Sequence, residues 1–151
     1  MTLAGAHHLI LASQPELVLF DIGGTLVVEA VPGTPTSQLH AEPLPGVPEL
    51  LAALASMVRI GAVTNTAVMS ETDVRALLEP CGIATHLEHI VTSSDVGIAK
   101  PDPKPLLVAC ERFGIDPSAA VYVGNHPVDR DAAEAAGMPY LDVLDLASDA
   151  R

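Results

Sequence analysis

The run Leu17-Val18-Leu19-Phe20 places four apolar side chains in succession and ends at Asp21 and a Gly23-Gly24 pair. An unbroken apolar run of that length, closed by breakers, suits a strand buried on both faces; a half-exposed strand would alternate. The pattern returns along the chain. Arg59–Thr64, His89–Thr92, Val121–Val123 and Tyr140–Val143 are further strand candidates, with segments of helical period between them. Val47, Leu50, Leu51 and Leu54 fall on one helix face, and Pro48 suits that helix's first turn. Val74, Leu77, Leu78 and Cys81 mark a second stripe, with Ser70 and Asp73 as a capping pair at its start and Gly82 at its stop. Leu106, Cys110 and Phe113 mark a third helix closed by Gly114, and an Ala-rich segment from Asp129 to Ala136 forms a fourth closed by Gly137. Strands and helices that alternate in this way predict an α/β fold, a three-layer Rossmann-like sandwich around a five-stranded, mostly parallel sheet.

Residues 1–15 read as an irregular lead-in, and 16–151 as a single domain. Between residues 26 and 46, Pro32, Pro35, Pro43 and Pro45 and the lack of any period predict a short flap or linker. Hydrophobic residues make up 49% of the 151, and charged ones 17%, which excludes a disordered chain. Aromatic residues are only 3%, so the core must be aliphatic.

Charge narrows the partners. Seven basic residues against nineteen acidic ones give a net charge of −12, and no basic stripe exists to displace counterions from a phosphate backbone. A nucleic-acid partner is therefore not expected. No apolar run approaches the ~18 residues of a membrane span, and the first Lys or Arg is Arg59, so no secretory leader is read. Cys81 and Cys110 lie far apart and outside any CxxC pattern, and read as free thiols in a reducing compartment. A cytoplasmic location without a membrane partner is the expectation.

Open parallel sheets bind ligands beyond the carboxyl ends of their strands, where the strand order reverses. Asp21 follows the first strand, Thr64 and Asn65 the second, Asn125 and Asp129 the fourth, and Lys100 leads from the third strand toward a helix. Singly, each has an ordinary explanation as a turn former, a cap or a solvated loop charge. Jointly they bring a carboxylate, a hydroxyl, an ammonium and a second acid to one crevice.

The stretches LVLFDIGGTL, GAVTN, IAKPDP and YVGNHPVDRDAAEAAGM resemble, in order, the four motifs of the haloacid dehalogenase-like hydrolase superfamily. The resemblance spans Leu17 to Met138. It implies Asp21 as a nucleophile that takes a phosphoryl group from a phosphorylated substrate, with Mg2+ as cofactor. It further implies that Thr64 donates its hydroxyl to a phosphoryl oxygen while Lys100 supplies positive charge and holds Asp21. Backbone N–H groups around Gly23, Gly24 and Asn65 would complete the cradle, and Asp21, the Gly23 carbonyl, Asn125 and Asp129 would hold the metal.

Two positions depart from that family pattern. Gly23 stands where phosphatase members carry a second Asp that moves a proton to the leaving group. Losing such a group costs about 10²–10⁴ in rate, least for acidic leaving groups. Asn125 stands where an Asp helps hold the metal, so magnesium affinity should fall. His126 is a candidate proton carrier and otherwise a solvent-facing loop residue, while His40 lies on the flap. The intervals from Thr25 to Thr64 and from Thr64 to Lys100 leave no room for a sizeable cap, so the resemblance is to a capless member, whose open site a homo-oligomer or a bulky substrate would cover. The leading expectation is a slow magnesium-dependent phosphatase. The alternatives are a degenerate module that binds a phosphorylated ligand or a protein partner, and a metal-independent dehalogenase-type hydrolase.

Overall fold

The computed structural model describes residues 2–149. His7–Ile10 form a short helix (α1), where the sequence suggested an irregular lead-in. Leu3, Ala6 and Ile10 are buried there, and Leu3 N–H donates to Pro45 O at 2.9 Å. A single helical turn is too short to display a period, so only its packing reveals it.

Strand β1 (Leu17–Phe20) is followed by the flap, which lacks a helix but is not structureless. Val28 N–H donates to Glu42 O and Leu44 N–H to Leu26 O, so the two arms pair while the tip carries one 3-10 turn at Thr36–Gln38. Next come α2 (Val47–Ala55), β2 (Arg59–Thr64) and α3 (Glu71–Leu78). The start of α3 carries the reciprocal Ser70–Asp73 capping box its sequence announced. β3 (His89–Thr92) runs into a one-turn helix α4 (Ser93–Val96), then α5 (Lys104–Phe113), β4 (Ala120–Gly124) and α6 (Pro127–Ala136). β5 (Tyr140–Asp142) ends one residue earlier than expected, because Val143 opens a further helix, α7 (Val143–Asp149).

All five strands are parallel, in the order β3-β2-β1-β4-β5. Alternate residues of β1 send side chains to opposite faces. Val18 and Phe20 join the core beneath α2 and α3, and Leu17 and Leu19 join the one beneath α5 and α6. Both faces are covered, which is why these strands read as continuous apolar runs. The chain's direction across the sheet reverses between β1 and β4, and the carboxyl ends of those two strands define the crevice.

Candidate active site

Asp21 leaves the tip of β1 and Lys100 reaches it from the loop after α4. Lys100 is only 4% exposed, not the solvated loop charge it resembles in isolation. Its Nζ donates to Asp21 Oδ1 at 3.0 Å, Asp129 Oδ1 at 2.7 Å and Val63 O at 3.0 Å, and lies 2.5 Å from the Tyr122 hydroxyl. The Tyr122 hydroxyl in turn donates to Val63 O at 2.8 Å. An ammonium can stay charged at this depth because every proton finds an oxygen and two of those oxygens are anionic. The Lys100 backbone is also fixed: Asn65 donates its amide to Lys100 O and accepts from Lys100 N–H, each at 3.0 Å.

Asp129, on the first turn of α6, is 1% exposed. One of its oxygens binds Lys100, and the other accepts the N–H groups of Asn125 and His126 at 3.2 and 3.1 Å. Its carboxylate is thus committed to holding Lys100 and the loop after β4. Expected among the metal ligands, Asp129 also lines the cavity at the strand ends. Gly124 leaves room for this carboxylate, since a Cβ there would sit 2.7 Å from Asp129 Oδ2.

Gly24, expected in the anion cradle, lies in the turn after β1. It does not line the cavity, and its N–H donates to Val27 O at 2.7 Å, so that donor is spent on the turn and not on a bound anion. Gly24 has φ +79, and a Cβ would fall 2.2 Å from the Asn125 amide, so only glycine lets the two loops close together.

Asn125 decides whether a cation fits. With its oxygen turned inward it accepts from Thr25 Oγ1 at 3.1 Å and lies 2.9 Å from Asp21 Oδ2 and 3.2 Å from Gly23 O. Three oxygens facing one another are unfavourable alone, but cis ligands of an octahedral ion with 2.0–2.1 Å bonds are about 2.9 Å apart. In that orientation the carboxylate, carbonyl and amide oxygens suit magnesium. With the amide turned round, its NH2 donates to the same Asp21 and Gly23 oxygens, and its oxygen accepts from His126 Nε2 at 3.3 Å. Asn125 can therefore satisfy these oxygens itself. No group of three or more His, Cys, Asp or Glu suited to a metal occurs among the described residues.

Burial pushes the Asp21 carboxyl above its ordinary range, Lys100 pulls it back and Asp129 pushes it up again. Burial raises the Tyr122 phenol well above its usual value and keeps it a neutral donor. Two carboxylates and one ammonium leave the cluster with one negative charge in excess. A phosphate dianion is repelled unless a cation joins it.

The cavity at the strand ends is about 300 Å³, and Asp21, Gly23, Thr64, Asn65 and Lys100 line it. Glu29 and His126 stand at its edge with Oε1 and Nε2 2.8 Å apart, and that contact raises the His126 pKa. Sequence reasoning missed Glu29, Tyr122 and Thr25. Glu29 Cγ lies 3.9 Å from where a Cβ at position 23 would be, so its side chain flanks the place of the absent second carboxylate.

A sequence profile of haloacid dehalogenase-like hydrolases matches residues 36–137. The chain belongs to the haloacid dehalogenase-like hydrolase family. It is 38% identical over 102 residues to a phosphoglycolate phosphatase of Thiobacillus denitrificans, covering 67% of this chain and 44% of that protein. It is 37% identical over 98 residues to an N-acetylmuramic acid 6-phosphate phosphatase of Pseudomonas aeruginosa, covering 64% and 42%. The chain thus spans less than half the length of these curated relatives. Among solved structures, a subfamily IA hydrolase of Geobacter sulfurreducens superposes with TM-score 0.69 at 22% identity, covering 83% of this chain and 88% of that one. A protein of Listeria monocytogenes superposes with TM-score 0.75 at 22% identity, covering 83% and 76%. These two likenesses establish the fold. The profile match begins beyond Asp21, so the role of that residue stands on the geometry above. No described helix is long and apolar enough to cross a membrane.

Proposed function

We propose that the chain is a phosphatase that works through Asp21. The observation that carries this reading is the division of labour on that carboxylate. Oδ1 is held by Lys100 at 3.0 Å, while Oδ2 faces Gly23 O and Asn125 at the edge of the open cavity. One oxygen is anchored by an ammonium, and the other sits where a cation would be held.

In this reading a carboxylate oxygen of Asp21 attacks phosphorus, and the ester P–O bond breaks with its electron pair leaving on the alcohol or phenol oxygen. Water then attacks the acyl phosphate, which returns the carboxylate and releases inorganic phosphate. Thr64 at the end of β2 orients a phosphoryl oxygen, and Lys100 keeps Asp21 ionised and aimed. Asp21, Gly23 O and Asn125 Oδ1 would hold Mg2+, which when bound offsets the negative charge of cluster and ester. No side chain at Gly23 can donate a proton, so esters of acidic alcohols turn over best. Supporting the hydrolytic reading, curated relatives of both names given above are phosphatases.

The test is phosphate release from an aryl phosphate with magnesium present. The reading expects release by the native chain and at least about a 10³-fold loss in Asp21→Asn; release unchanged by that substitution refutes it. A second reading, a module that binds a phosphorylated ligand without turnover, draws on the Asn125 amide, which can take the cation's place between Asp21 and Gly23.

A further inference from the structure

A second cavity of about 200 Å³ adjoins the first and shares Gly23, Ala30, Thr64 and Asn65 with it. Its remaining wall is made by the flap and by α3 with the turn before it. Val27 and Leu39 come from the flap, and Met69, Val74 and Leu77 from the other side. No Lys, Arg, Asp or Glu lines it, and His40 is its one titratable side chain. Among the described residues the one Lys or Arg of the first cavity is Lys100, already engaged by two carboxylates, and Glu29 adds a further acid at the edge.

We propose that this second cavity takes the alcohol or phenol part of the phosphate ester, and that this part is uncharged and apolar. The inference rests on the phosphatase reading and narrows it. A phosphorus atom placed against Asp21 and Thr64 lies at the rim the two cavities share, so its leaving group can enter the apolar one. An apolar group gains by entering the cavity. A carboxylate entering it gives up water for walls that offer no Lys or Arg, in a chain of net charge −12. Phosphoglycolate, for which one relative is named, has just such a carboxylate on its leaving group. The cavity therefore argues against transferring that substrate to this chain, and for an aryl or alkyl phosphate.

The pair 3-methylphenyl phosphate and 3-carboxyphenyl phosphate tests this, because the two phenols are of similar acidity and differ chiefly in charge. The native chain should hydrolyse the methyl compound with kcat/KM at least about tenfold above the carboxyl compound. Leu77→Arg, or Leu39→Arg on the flap wall, should narrow or invert the ratio by giving the carboxylate a partner. Release from both esters at equal efficiency, lost in Asp21→Asn, overturns the proposal and leaves the phosphatase reading standing. A ratio above tenfold that neither arginine variant changes also overturns it, because the discrimination then arises elsewhere. Asp21-dependent release from neither ester overturns both.

Discussion

The strand-end cluster and the flap line the same site but are built on opposite principles. Asp21, Lys100, Tyr122 and Asp129 are all 5% exposed or less, and each is held by at least one hydrogen bond to another member. The flap segment from Val28 to Gly33 is exposed throughout, and the flap's arms are tied by a few backbone bonds and the Glu29–His126 contact. Fixed charges need a rigid, dry setting to act on a developing transition state. Recognition of a leaving group needs only a shaped wall, which a loop can supply and vary. Chemistry on the sheet and selectivity on the flap follow from that difference.

The comparison breaks most visibly at Lys100. In Lys100→Met two buried carboxylates lose the one ion-pair partner they have among the described residues, and the stability measured by urea unfolding should fall by about 3–5 kcal/mol. Aryl phosphatase activity should disappear with it. A loss under 1 kcal/mol would mean the cluster is neither as buried nor as tightly coupled as the distances say.

Asn125→Asp sharpens the contrast between a site that satisfies itself and one that requires a cation. The substitution removes the NH2 that can bridge Asp21 and Gly23 and adds a carboxylate beside Asp21. Magnesium should bind at least about tenfold tighter by calorimetry, while the metal-free variant melts below the native chain because like charges oppose at short range. Unchanged affinity would remove Asn125 from the metal site.

The smallest effect belongs to the flap. Glu29→Gln should cost no more than about 0.5 kcal/mol, since both partners of the contact are about half exposed and solvent screens them. Its pH dependence has a definite sign. The folded state raises the His126 pKa through Glu29, so the contribution is fully present below the ordinary histidine range and is lost as pH rises through the raised value. Salt should abolish it. Urea titrations of native and variant chains at pH 5.5 and 8.5 check this, and a difference larger at the higher pH would contradict the assignment.

Much of the sheet and of the cluster could be read from residue order alone. The five apolar runs are the five strands, and Asp21, Thr64, Lys100 and Asn125 sit at or beyond their ends because a parallel sheet collects such positions at one edge. What stayed hidden depends on register and loop path. Tyr122 looks like one more apolar strand residue between Val121 and Val123, and only pairing with β1 brings its hydroxyl to Lys100. Asp129 reads as an acid near the site; that it accepts two backbone N–H groups is a matter of loop geometry. Glu29 carries no pattern at all, since the flap has no period to place it.

Beryllofluoride adopts the shape and charge of a phosphoryl group on a carboxylate, so its capture measures nucleophile, anion cradle and cation together. With magnesium present, 19F spectra of the native chain should show a bound beryllofluoride signal that vanishes in Asp21→Asn and on chelation of the metal. A signal that survives in Asp21→Asn, or none in the native chain, would contradict the assignment of that carboxylate as the group that takes the phosphoryl.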